Sequence, residues 1–193
     1  ERVTFWVAVV LWVAFPVIAD TTVDIFGLGA NLFTIEFVNI SSETNPSTGI
    51  PAGEGFIFTG VDYDYRIGKF EITNDQWTKF TNIHGVPDGN PPSAYGQDSK
   101  WTGVNVPVNN VSWYEAAQFV NWLNTSTGKQ PAYNLTGIAG TEDYSLSVWD
   151  ESEAWSSTNI YRHKDAFYFL PDDNEWAKAA YWNGTDLQLY ATK

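Results

Sequence analysis

Alternating and helically spaced apolar residues divide the chain into readable pieces. Residues 31–38, NLFTIEFV, set Phe33, Ile35 and Phe37 on one side and Thr34, Glu36 and Val38 on the other, the period-two pattern of a half-buried strand. Residues 41–55 are rich in Ser, Thr, Pro and Gly and read as a loop, after which residues 63–72 form a second extended run with Gly68 as a candidate bulge. Three helices are predicted by their starts. Thr73 with Gln76 makes a capping box followed by Trp77 and Phe80, so a short helix should run to about Asn82 with these rings inward. Ser112 with Glu115 opens a second helix whose apolar stripe is Ala116, Phe119, Val120 and Leu123, with Gly128 as its stop. Asp172 with Glu175, preceded by Pro171, opens a third that Trp176, Ala179 and Ala180 continue towards Asn183.

Two stretches lie outside this pattern of helices and strands. Residues 129–166 are polar and turn-rich, with Tyr133, Tyr144, Trp149, Trp155 and Tyr161 interspersed, and a connection of that length either carries function or contains small hairpins of its own. Residues 167–170 read as a buried strand feeding the third helix. At the other end, residues 3–19 run for 17 positions without a charge behind Arg2, which marks a membrane-inserting segment. Val17 and Ala19 stand where a signal-peptide cleavage site before Asp20 would have them, whereas an uncleaved anchor would use Trp6 and Trp12 as contact or interface residues. Both readings place the domain outside the cytoplasm. The resulting division is 1–19 as signal peptide or anchor, 20–60 as an N-terminal strand and loop region, and 61–193 as the main domain.

Composition then narrows the chemistry. With 44% apolar and 17% aromatic residues, the chain can bury a proper core. Its net charge of −13 argues against nucleic acid as a partner, because phosphate neutralisation needs clustered Lys and Arg. Cysteine is absent, which removes disulfides, thiolate nucleophiles and thiolate metal sites. The two histidines, His84 and His163, have no partner at metal-ligand spacing and read as loop residues, and no D-x-[DN]-x-[DN]-G run is present to hold calcium. No metal site and no catalytic residue is therefore expected within this chain. Among its N-x-[ST] runs, Asn110 precedes the second helix cap, where its side chain is expected to serve the turn.

Three blocks in order carry a family resemblance. They are Tyr65-Arg-Ile-Gly-Lys-Phe-Glu-Ile-Thr-Asn74 with Trp77 and Phe80; Pro107-Val-Asn-Asn-Val-Ser-Trp-Tyr-Glu-Ala-Ala117 with Asn121-Trp-Leu123; and Phe169-Leu-Pro171 with Glu175-Trp176 and Ala179-Ala180. Together they closely resemble the formylglycine-generating-enzyme, or sulfatase-modifying-factor, domain, in the variant found in exported bacterial proteins with a PEP-CTERM sorting tail. The resemblance implies an α+β fold related to C-type lectins, with little regular secondary structure, two main helices and small antiparallel sheets. Read as residues alone, the blocks also have a plain structural explanation: Trp77, Phe80, Ser112, Trp113, Glu115, Pro171, Glu175 and Trp176 take structural roles, with Trp113 and Trp176 as core rings and Pro107 and Pro171 as turn formers. The resemblance further implies, for catalytic members, a C-terminal cysteine pair that binds copper, and calcium held by later loops. Those regions would lie beyond Lys193, so calcium is expected only if the domain continues.

The function expected on this basis is a non-catalytic extracytoplasmic binding or assembly domain whose partner is a protein or glycan at the cell surface. Trp149, Trp155 and Tyr161 are the candidate ligand-stacking rings; the alternative is that they pack the long loop against the domain. Two other functions remain open: an accessory subunit of a membrane complex, contacting membrane proteins through residues 3–19, and a fragment of an oxidase whose catalytic part lies beyond residue 193.

Overall fold

The computed structural model describes residues 21–51, 55–87, 101–137, 141 and 143–189; the apolar segment at 3–19, with Trp6 and Trp12, lies outside the described residues. Strands β1 (Thr21–Phe26) and β2 (Phe33–Ile40) form a hairpin through a single 3-10 turn, and β3 (Ile50–Pro51) pairs with β4 (Ile57–Phe58). Strand β5 (Tyr65–Gly68) joins β2 to give a three-stranded antiparallel sheet in the order β1-β2-β5. Helices α1 (Asn74–His84) and α2 (Trp113–Ser126) follow, then a small hairpin of β6 (Asn134–Thr136) and β7 (Ser145–Ser147), then helix α3 (Asp173–Tyr181). The result is a mixed helix-and-strand architecture with little regular structure. Among the described residues no helix is long and apolar enough to cross a membrane.

Each helix begins with a complete capping box, at Thr73 with Gln76, Ser112 with Glu115, and Asp172 with Glu175. In each, the cap side chain accepts from the third helical N–H while the Gln or Glu accepts from the cap N–H, so two orphan donors are satisfied at once. The core lies between the inner face of the sheet and helices α1 and α2. Phe26, Phe33 and Ile35 supply the sheet side, and Trp77, Phe80, Phe119 and Trp122 the helix side. Phe80, 0% exposed, has Trp77, Phe119 and Trp122 around it at centroid distances of 5.0 to 5.2 Å.

Several elements differ from the sequence reading, each for an identifiable reason. Trp113 is 44% exposed and Trp176 51% exposed, so neither is a core ring. Their neighbours Glu115 and Glu175 take the inward positions because their carboxylates cap the helix starts; at 3.6 residues per turn, Trp113 lies about 200° and Trp176 about 100° away from them. The buried face of α2 is wider than the predicted stripe: it uses Ala117, Trp122 and Asn124 in addition to Phe119, Val120 and Leu123, while Ala116 is half-buried. The buried residues of α3 are Glu175, Ala177 and Lys178, while Ala179 and Ala180 continue the helix and are half-buried. Gly68 pairs with Phe37 in the same register as Ile67 with Val38, so the strand carries no bulge there.

Residues 167–170 form no strand. Asn124, fully buried on α2, accepts from Phe167 N–H (3.2 Å) and Tyr168 N–H (3.0 Å) and donates to Tyr168 C=O (2.7 Å), replacing a ladder with one side chain. One turn earlier Asn121 does the same for Tyr133, accepting from its N–H at 2.9 Å and donating to its C=O at 2.8 Å. The loop after β2 is held similarly. Asn45 accepts from Val61 N–H and donates to Val61 C=O, both at 2.8 Å, and Gly60 accommodates this approach at φ +87° because a Cβ there would sit 2.7 Å from the Asn45 side chain. The buried Lys178 ammonium donates to Asn45 Oδ1 at 3.1 Å and to Val61 C=O at 2.9 Å, which joins α3 to that loop.

Replacing Asn124 with alanine strands the buried N–H and C=O of Tyr168 and the half-buried N–H of Phe167, and is expected to cost at least about 2 kcal/mol, since an unsatisfied buried group costs about 1–3 kcal/mol. Guanidinium denaturation measures the loss. Amide exchange at Tyr168 should accelerate in the same variant before global unfolding.

Candidate functional site

Between the sheet and α2 the core does not close. A cleft of about 640 Å³ runs down to Ile35, Phe119, Val120 and Leu123, and its walls are the half-buried Phe37, Ile72, Val108, Val111, Phe169 and Leu170. Phe70 (68% exposed), Phe167 and Trp176 also line it and stand open to solvent. Its volume falls within the range of about 300–1,000 Å³ typical of small-molecule pockets.

The cation lining the cleft is Arg66, and it is held in place. Its guanidinium pairs with Asp24 Oδ2 at 2.8 Å, donates to Thr22 Oγ1 at 2.7 Å, and lies between the rings of Phe37 and Phe167 at 4.7 and 4.9 Å. Tyr168 Oη donates to the same Asp24 carboxylate at 2.8 Å. Burial works to raise the Asp24 pKa, but the hydrogen bonds from Arg66 and Tyr168, with the Arg66 charge, hold it below the ordinary aspartate value.

A second ionic group lies behind the cleft wall. Arg162 (1% exposed) and Glu175 (0% exposed) pair through Nη1 at 2.8 Å to Oε1 and 3.0 Å to Oε2. Tyr63 Oη donates to Glu175 Oε1, and the guanidinium lies over Trp155 at 4.4 Å and Phe169 at 4.1 Å. Tyr63, Trp155 and Phe169 all line the cleft, so this pair fixes one wall of it. Burial, reinforced by the Glu175 contact, raises the Tyr63 phenol well above its ordinary value, which keeps it a neutral donor.

The three candidate stacking rings do not share one surface. Trp155 faces the cleft; Trp149 donates from Nε1 to Ala132 C=O at 3.0 Å and packs edge-on against His163, holding the long loop down; Tyr161 is exposed on that loop. His163 is buried and its Nδ1 accepts from Asp165 N–H at 3.0 Å. His84 stacks on Phe80, and burial lowers its pKa. Among the described residues no three His, Asp or Glu side chains gather as a metal cluster, and with no cysteine in the sequence a thiolate copper site does not fit this chain. The residues that build the cleft, chiefly Phe37, Arg66, Phe70, Val108 and Val111, were read from the sequence only as strand or family-block positions and not as site residues. The one local signal was the Lys69-Phe70-Glu71 run, where an apolar ring sits between two charges.

Two measurements probe these ionic groups. Arg162→Met leaves a buried carboxylate without its cation and should lose about 3–5 kcal/mol, whereas adding Glu175→Gln, which keeps an acceptor for Asp172 N–H, should restore most of it in a double-mutant cycle. For Asp24, whose folded pKa is depressed, the stabilisation is complete above the unfolded aspartate value and is lost as pH falls through the folded one. Asp24→Asn should therefore destabilise the protein at neutral pH and make progressively less difference below about pH 4.

Comparison with known proteins follows the same outline. A stretch of 122 residues, 61% of this chain, is 28% identical to "Chaperone protein LppX" of Paenibacillus barcinonensis, and the match spans 36% of that protein. The fold is similar to that of the solved structure "Treponema denticola variable protein 1", with a TM-score of 0.50 and 20% identity over 89% of this chain and 61% of that one. The chain thus spans about a third of the length of the curated relative it matches. Residues 59–193, which include β5, all three helices and most of the cleft, match the Sulfatase-modifying factor enzyme 1-like domain, and the chain belongs to that family.

Proposed function

We propose that this chain is a non-catalytic binding or assembly domain that works outside the cytoplasm on a C-type-lectin-like scaffold, and that its cleft receives an apolar partner. The observation that carries this reading is the continuity of the cleft with the core: rings and branched side chains that would be buried in a closed domain line an open space of about 640 Å³. Apolar surface of that kind is unfavourable in water and favours any ligand that covers it. The relative that carries the name of a chaperone is consistent with a domain that holds polypeptide. The uncharged run at 3–19 supports export.

Ala116 lines the cleft from α2 and is only half-buried, so Ala116→Trp should fill the space while leaving the helix intact. Titration of lysine-flanked apolar peptides against the protein, followed by the fluorescence of Trp155 and Trp176, is expected to show binding that this variant weakens at least about tenfold. Equal affinity in the filled variant would exclude the cleft as the site. Location is tested by fusing a reporter that is active only after export; activity is expected, and a purely cytoplasmic reporter signal would overturn it.

A further inference from the structure

The cleft offers main-chain as well as side-chain contacts. Strand β5 is the outer strand of the sheet order β1-β2-β5, and its consecutive residues Tyr65, Arg66, Ile67 and Gly68 all line the cleft. One face of a strand presents only alternate residues, so an uninterrupted run along a cavity means that the strand's edge is turned towards it. The register tells which groups that edge carries. Lys69 N–H donates to Glu36 C=O at 2.8 Å, and Ile67 with Val38 and Tyr65 with Ile40 are in phase with that pair. In an antiparallel ladder the intervening residues direct N–H and C=O the other way, so those of Arg66 and Gly68 point outward along the cleft. Among the described residues no further strand pairs with that edge. Main-chain groups beside apolar walls are costly to leave unpaired once water is displaced, which selects a ligand with a peptide backbone of its own.

Charge narrows the ligand further. Asp64 and Glu71 are exposed cleft residues, Arg66 is already neutralised by Asp24, and the chain carries −13 overall. We infer that the cleft receives an extended apolar polypeptide segment of a partner protein, flanked by Lys or Arg, which adds as a fourth strand beside β5. This rests on the binding reading above and specifies the partner of that site. Backbone pairing with β5 supplies the register, while alternate side chains of the segment descend between Phe37, Ile72 and Val111.

The test uses the full chain and a synthetic peptide of four Val-Thr repeats with two lysines at each end, in three forms: unmodified, N-methylated at the valine amides, and N-methylated at the threonine amides. One methylated form loses the amides that face β5 and is expected to bind at least about tenfold more weakly, while the other stays within about twofold of the unmodified peptide. Gly68→Pro, which removes one outward N–H, is expected to weaken the unmodified peptide similarly. Equal behaviour of the two methylated forms would overturn strand addition, and if Ala116→Trp still blocks the peptide, the binding reading survives that result. Failure of every form to bind would overturn both. Hydrogen exchange separates the occupants: the Arg66 and Gly68 amides should exchange rapidly in the free chain and slow with peptide. Protection already present in the free chain would mean that a segment of the chain itself, such as residues 3–19, covers the edge, and would overturn the partner assignment.

Discussion

Buried main-chain groups that have no ladder to join are the constraint on which this structure depends. Among the described residues the longest strand has eight residues and the hairpins outside the main sheet have two- and three-residue strands, so much of the interior backbone is irregular. Every such N–H and C=O still needs a partner. Asn45, Asn121 and Asn124 provide them, each amide offering a donor and an acceptor to a single segment of chain. Because an amide has no charge to desolvate, it can sit in the core at much lower cost than a carboxylate.

Where carboxylates are buried, they do two things at once. Glu175 accepts from Asp172 N–H at 2.7 Å, closing its own helix cap, and neutralises Arg162 across the domain. Arg162 in turn is flanked by Trp155 and Phe169, so one ionic contact couples the start of α3, the long loop and a wall of the cleft. Arg66 repeats the arrangement on the sheet side, paired with Asp24 and lying between Phe37 and Phe167. The cleft is therefore bounded by two neutralised guanidiniums wrapped in rings. It can stay open without collapsing because its walls are anchored by directional contacts in addition to hydrophobic packing.

The local signals in the sequence were of the kind that depends on few residues. A capping box involves positions three apart, and all three are present with their hydrogen bonds. Alternation identified β2 with Phe33 and Ile35 inward, and the turn-rich stretch at 129–166 does contain its own hairpin. Family membership was legible for the same reason, since the three blocks are contiguous motifs. The misreadings fall where a position's neighbour competes for the core. Trp113 and Trp176 are the most apolar residues of their helix starts, yet capping fixes Glu115 and Glu175 inward and rotates the rings out.

By itself the sequence determined the helix starts, the strand alternation, the lack of cysteine within residues 1–193 and the family, because each rests on residue identity or short-range spacing. Only the tertiary structure decided that residues 167–170 hang from Asn124, that Trp149, Trp155 and Tyr161 go to three different surroundings, and that the edge of β5 faces an open apolar cleft. Those features arise from contacts between residues tens of positions apart, and no periodicity along a single chain encodes which distant side chain will arrive to satisfy a given group.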